Sequence, residues 1–273
     1  MRTVSILAPQ KLAPAQNGGR GITHLGLYQG PAKFTLAAKS DAGTTPTLAV
    51  KIQNAPEQLR TPSAPGIGNS AIGSRTATDT AIRIGASFSL ASAITIAANY
   101  LPLIKTGTPT GTLTLAIQAD DDGEPSGTDL ATATFAAADV STAGTNCEFR
   151  FTNPIDLAAG DYWLVLTSDV TISATNFISW RAMDVDGTGN AAIFDEAWEN
   201  DADENLEFWS ESYTFADVPG LAFAGATTLG TLSTLEANTD SLAYIRPHIT
   251  VGGTNSPAYY ASVAALAKLQ APA

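Results

Sequence analysis

The residues best placed to do chemistry lie in one acidic stretch. Between Asp184 and Asp217 there are eleven carboxylates and no Lys or Arg. Trp198 falls between Glu196 and Glu199, and Trp209 and Tyr213 follow on either side of Glu211. Aromatic faces beside acids stack on sugars and hydrogen-bond them, so Trp198, Trp209 and Tyr213 form a candidate glycan-binding set. Glu196 and Glu199 could in principle hydrolyse a glycoside. That reaction needs one carboxyl with a raised pKa in a dry cleft, which a run of solvated acids does not supply. In DVDGTGN, Asp184, Asp186 and Asn190 surround a glycine turn in part of the pattern of a calcium loop, without the full ligand spacing or a terminal bidentate Glu. Ca2+ bound there is one reading, and a solvated, self-repelling outer loop is the other. The acids of DDDGE (120–124) raise the same choice, and their flanking strands favour a hairpin turn.

Little else in the chain suggests a reaction. The two histidines are His24 and His248, and no GxSxG nucleophile motif accompanies them. The single cysteine, Cys147, permits neither an internal disulfide nor a thiolate zinc cluster, and ahead of EFRF it reads as a small strand hydrophobe. The expectation is therefore a protein with no catalytic residues and no cofactor.

The elements that position these residues are strands. Charged residues make up only 15% of the chain, whereas the 34 threonines outnumber Lys plus Arg by more than two to one. Threonine is β-branched and suits a pleated surface. KFTLAAKS (33–40) and TLAVKIQ (47–53) alternate apolar and polar residues, with DAGTTP between them as a turn, which predicts a hairpin. Further strands are expected at AIRIGASFSL, GTLTLAIQ, TDLATATF, CEFRFT, DYWLVLTS, NFISWRAM, AYIRPHITV and AYYASVAAL. DYWLVLTS is apolar on both faces, as in a central strand covered on both sides. Short helical turns are expected near AAADVS and AWENDADENLEFW, and the alanines of YYASVAALAKL leave a helix open there. The pattern as a whole predicts an all-β protein of antiparallel sandwiches.

Charge divides the chain. Residues 1–60 hold seven cations and two acids, residues 61–220 five cations and 22 acids, and residues 221–273 two of each. The stretches 60–74 and 217–230 are rich in Gly, Pro and small residues, as linkers are. We therefore expect an inserted domain at 60–220, a host domain made of 23–59 plus 221–273, and a basic extended arm at 1–22 that orders over a neighbouring subunit. A net charge of −12 argues against nucleic-acid binding, which needs clustered cations. The uncharged run 84–104 alternates like a strand, so no membrane span is expected. The apolar patch before Pro9 is too short for a signal-peptide core, which predicts synthesis in the cytoplasm without a signal peptide.

Two segments carry resemblances. TTPTLAVKIQNAPE (44–57) with SLAYIRPHITVGGTNSPAYYASVAAL (241–266) resembles the two halves of a compact sandwich in tailed-phage virion proteins, among them capsid cement or decoration proteins. TGTLTLAIQADDDGEPSGTDLATATF followed by CEFRFTNPIDLAAGDYWLVLTS is similar to a jelly-roll module of phage structural proteins and secreted surface proteins. The resemblance implies a β-sandwich base with an inserted, outward-facing jelly roll. It further implies a place on the outer capsid surface, the major capsid protein as partner, and self-association as a dimer or trimer. On that reading the cations of arm and base, Arg2, Lys11, Arg20, Lys33, Lys39 and Lys51, are the candidates for contact with an acidic shell. A head spike or fibre that binds host-surface glycan through the insert is the alternative.

Overall fold

The computed structural model describes residues 2–12, 18–19, 22–24, 28–55, 68–72, 83–170, 173, 175–184, 191–195, 197–201, 204–223, 231–238 and 242–269. Among them the only helical turn is a 3-10 turn at Ala137–Asp139, within the AAADVS segment. The chain forms two compact units, one from Met1–Gln58 with Tyr213–Ala273 and one from Leu59–Ser212. The second crossing lies eight residues earlier than charge and linker composition indicate. The reason is that 216–223 pairs as a strand with the N-terminal segment.

Strands are numbered in chain order. The unit of the chain ends holds β1 (Arg2–Leu12), β2 (Gly18–Gly19), β3 (Thr23–His24) and β4 (Tyr28–Ala55). After the insert it resumes with β17 (Ala216–Phe223), β18 (Thr231–Asn238) and β19 (Tyr244–Leu269). Its spine is one antiparallel pair, β4 of 28 residues and β19 of 26. The hairpin expected within 33–53 does not form. Both of its arms belong to β4, and each pairs with a different half of β19: Leu36 lies opposite Val263, and Val50 opposite Ile249. YYASVAALAKL is likewise strand and not helix, because its alternate residues Ala261, Val263 and Ala265 are buried.

The pair slips register between Gly252 and Tyr259, where Gly253 has a φ of 120° that side chains resist. One hydrophobic cluster takes Phe34 and Leu36 from one half of β4 and Leu48, Val50 and Ile52 from the other. The seven-stranded sheet therefore folds over on itself into a sandwich, with β1 and β18 flanking one half of the spine and β2, β3 and β17 the other. Of the segment 1–22 expected as an arm over a neighbouring subunit, residues 2–12 are instead a strand of their own unit. They form β1, antiparallel to β19 from Arg2↔Ala267 to Leu12↔Tyr259, and Ile6 and Leu7 sit in the core. Two apolar side chains of that size outweigh the basic, proline-containing composition that suggested an arm.

The insert begins with β5 (Gly68–Ile72), β6 (Arg83–Leu90), β7 (Ile94–Thr106) and β8 (Thr112–Asp121). It continues with β9 (Glu124–Ala136), β10 (Thr145–Leu157), β11 (Gly160–Ser168) and β12 (Phe177–Asp184). These eight pair as nested hairpins: β8 with β9, β7 with β10, β6 with β11 and β5 with β12. Cross-pairing of β11 with β8 and of β12 with β7 then closes two facing sheets, ordered β5-β12-β7-β10 and β6-β11-β8-β9. Nested pairing of this kind makes the unit a jelly roll. Its core holds Trp180, Phe149, Ile84 and Ile96, all under 2% exposed.

Four shorter strands complete the unit: β13 (Ala191–Asp195), β14 (Ala197–Asp201), β15 (Glu204–Leu206) and β16 (Trp209–Tyr213). β13 and β14 extend one sheet beyond β6, while β15 and β16 pair with β12 and β7 in the other. AWENDADENLEFW thus contributes strand where helical turns were expected. The run 84–104 becomes β6, a turn and β7, and no helix among the described residues is long and apolar enough to cross a membrane.

Candidate functional site

The candidate shell-binding cations do not form one basic face. Phe34, Leu36 and Ala38 point into the sandwich, so the alternate residues Lys33 and Lys39 point out and are exposed. In the other half of the spine Val50 and Ile52 point in and Lys51 points out, which places it on the other outer face of the folded sheet. Two of these lysines also meet acids of their own unit. Lys33 Nζ lies 3.9 Å from Glu236, and Lys51 Nζ donates to Asp217 Oδ2 at 2.6 Å. Arg2 and Lys11 take their places on β1 opposite Ala267 and Tyr260, and Arg20 lies outside the described residues.

Around Lys51 a polar row crosses three strands. Asp217 pairs in register with Gln53, and Gln53 with Arg246. Gln53 Nε2 donates to Asp217 Oδ1 at 2.9 Å, and Arg246 Nε donates to Gln53 Oε1 at 2.9 Å. The Arg246 guanidinium carbon lies 4.3 Å from the Phe215 ring centroid, a cation–π contact on a side chain only 7% exposed. Lys51 first and Gln53 second hold the Asp217 carboxyl below its ordinary pKa, with a smaller electrostatic contribution from His248. Alternation marks Lys51 and Gln53 as outward-facing, but nothing local in the sequence joins them to residues 217 and 246.

The proposed glycan-binding aromatics are not brought together. Trp198 is half-buried on β14, edge-on to Phe194 with centroids 5.3 Å apart, and it covers Trp163, Val165, Ala116 and Ala192. These lie on the outer side of the β11 sheet, while Leu164 and Leu166 point into the core. DYWLVLTS is therefore covered on both faces, as its composition predicted. Gly85 makes the second cover possible, since a Cβ there would sit 3.1 Å from Trp163 Cε3 and 3.4 Å from Trp198 Cζ3. Trp209 belongs to the opposite sheet, where its ring stacks on Tyr100 at 5.9 Å and 7°. Tyr213, the last residue of β16, lies just past the unit boundary at Ser212; it is 4% exposed, packed against Phe215 and Tyr244 of the unit of the chain ends, and has no face to offer a sugar.

Beside the Tyr100–Trp209 stack, Arg150 is gripped by two acids. Its Nε donates to Glu148 at 2.6 Å and its Nη2 to Glu211 at 2.6 Å. Glu211, ahead of Glu148, pushes the guanidinium pKa further up, so the charge is permanent. Asp120, in the DDDGE segment, has two structural partners. It accepts the Trp163 indole N–H at 2.7 Å and the Gly123 backbone N–H at 3.0 Å, bracing the β8–β9 turn in which Asp122 has a φ of 58°. These acids hold the sheet and its turn in place.

Asp186 and Asn190 lie outside the described residues, as does Glu196. Asp184 closes β12 opposite Glu204, and Glu199 is exposed on β14. Among the described residues no three His, Cys, Asp or Glu side chains gather as metal ligands would. His248 is a half-buried residue of β19. Cys147 is buried, and burial pushes its thiol pKa up to about 11, consistent with an unreactive hydrophobe.

No protein-family model and no curated protein matches this chain. Solved structures that resemble it include infectious bursal disease virus, Gx strain, at 10% identity over 99% of this chain and 81% of that one, with a TM-score of 0.22. T=1 particles derived from the same virus match at 9% identity over 99% and 79%, with a TM-score of 0.24. Its VP2 subviral particle matches at 8% over 99% and 82%, with a TM-score of 0.22. At TM-scores this low the likeness carries neither fold nor function across to this chain. The chain is all-β, with a sandwich made from its two ends and a jelly roll inserted between them.

Proposed function

We propose that this chain is a structural protein of a virus particle and that it acts as a cement, or decoration, protein on the outside of a tailed-phage capsid. The observation that supports this reading is the pairing of its two ends. The segments that resemble the halves of the cement-type sandwich, near residues 50 and 250, are far apart in sequence and lie side by side in β4 and β19, with Leu48 opposite Val251 and Ile52 opposite Pro247. In this reading the base contacts the major capsid protein and the jelly roll faces solvent. No cofactor, nucleic acid, membrane or catalytic step takes part.

Charge fits such a division of labour. Sorted by structural unit, the base holds eight cations and five acids, and the insert six cations and 21 acids. A weakly basic body approaches an acidic lattice with less repulsion than an insert carrying fifteen net negative charges. Binding only to assembled shell would stabilise the shell in proportion to occupancy. The test compares particles with and without this protein for release of packaged DNA on heating, followed by add-back of purified protein. Later release that add-back restores supports the reading, and identical curves overturn it. Loss of host adsorption in Trp198→Ala or Trp209→Ala particles that stay heat-stable would point to the glycan-binding alternative.

A further inference from the structure

The jelly roll's free edges differ in a way that matters for self-association. The sheet that ends on β10 exposes a strand carrying Glu148, Arg150 and Pro154, with a register slip between Arg150 and Ile155. At one end of the other sheet, β14 carries Glu199 and Asp201. Charges, proline and irregular register are the devices that keep an edge strand from pairing with another chain. The opposite end of that sheet is β9, and from residue 131 to 136 it has none of them. ATATFA is uncharged and runs in straight register against β8, from Ala131↔Ile117 to Ala136↔Thr112. Thr132, Thr134 and Ala136 are exposed, while Ala131, Ala133 and Phe135 pack on the core. Leu130, at the bulge that precedes this stretch, is 45% exposed, and the adjacent Asp129 accepts a hydrogen bond from Gln118 at 2.8 Å.

We propose that the 131–136 edge of β9 pairs antiparallel with the same edge of a second copy, about a two-fold axis. The occupant follows from charge. A chain of net −12 repels its own copies wherever its acids are spread, and this edge is a strand-length segment where two copies can meet without like charges opposed. Antiparallel self-pairing centred on Ala133 keeps outward residues outward and sets Thr132 opposite the partner's Thr134, a favourable cross-strand pair, twice. It joins two six-stranded sheets into one of twelve strands. Each copy uses its β9 edge once, so this contact produces a dimer and not a trimer. The inference concerns the insert alone and does not depend on the virion reading.

The test is sedimentation equilibrium of the full chain beside Thr132→Lys/Thr134→Lys, which opposes cations across the proposed axis at positions exposed in the monomer. A dimer for the unaltered chain, weakened at least tenfold in the variant, is the expected result. A monomer at ~100 µM, or a dimer that the lysines leave unchanged, overturns the proposal. Hydrogen exchange of the unaltered chain gives an independent reading that requires no variant to fold. Protection of the 131–136 amides should rise with protein concentration, and protection independent of concentration overturns the proposal.

Discussion

Replacing Leu7 with alanine distinguishes a strand from an arm. In the structure Leu7 is 4% exposed, paired opposite Val263 and packed in the base core. Truncation to alanine removes three carbon groups from that core, about 2.4 kcal/mol at ~0.8 kcal/mol per buried methylene. The cavity left behind raises the expected cost to about 3 kcal/mol, within the range of roughly 2–5 kcal/mol for such substitutions. A free arm would lose nothing. The four tryptophans all lie in the insert, at 163, 180, 198 and 209, so indole fluorescence follows the jelly roll and is silent on the base. Urea unfolding should therefore be read by far-UV circular dichroism, with fluorescence recorded in parallel. We expect the transition that includes the base to lose about 3 kcal/mol. A loss below ~0.5 kcal/mol would refute the placement of β1 in the sheet, since no buried leucine can be truncated so cheaply.

Further outcomes follow from the same packing. Gly85→Val should force Trp163 and Trp198 apart, red-shifting indole emission and costing about 1–3 kcal/mol by overpacking. Asp120→Ala leaves the Trp163 indole N–H and the Gly123 N–H without their acceptor, and thermal unfolding should show a loss of about 1–3 kcal/mol. Asp217→Asn should cost less than about 1 kcal/mol near neutral pH, because the pair with Lys51 is solvent-exposed. Since the folded Asp217 pKa is depressed, its contribution is complete above the unfolded carboxylate value of ~3.9 and is lost as pH falls through the folded value. The stability difference between the two proteins should therefore vanish in strong acid. At pH 8 a Cys147 thiol with a pKa of about 11 is about one part in a thousand thiolate, so labelling by a disulfide reagent should wait on unfolding.

Strand content and the facing of individual side chains were legible in the sequence because both are local. Period-two alternation put Phe34, Leu36, Leu48, Val50 and Ile52 on core faces, and the doubly apolar DYWLVLTS marked a strand covered on both sides. The base–insert division was visible in the charges, although the structure moves its second boundary to 212. Pairing was another matter. Two alternating segments joined by DAGTTP look like a hairpin to any local rule. They form a single strand because β19 offers each of them a better partner, in a register set some 200 residues away.

The candidate site divided along the same line. Aromatics and acids crowded between 196 and 213 suggested a shared surface, yet chain proximity does not survive a sandwich. Trp198 went to one sheet, Trp209 to the other and Tyr213 into the base. The cations of the first 60 residues read as a basic body, while Glu236 and Asp217, distant in sequence, meet two of them in space. By itself the sequence determined that this chain is β throughout, which side chains it buries strand by strand, and that it carries its acids in the middle. Only the tertiary structure decided which strand lies beside which, because a strand's partner is chosen by shared core and backbone register across the whole chain. That choice made a spine of β4 and β19, drew β1 into the sheet, and left β9 as the uncharged edge.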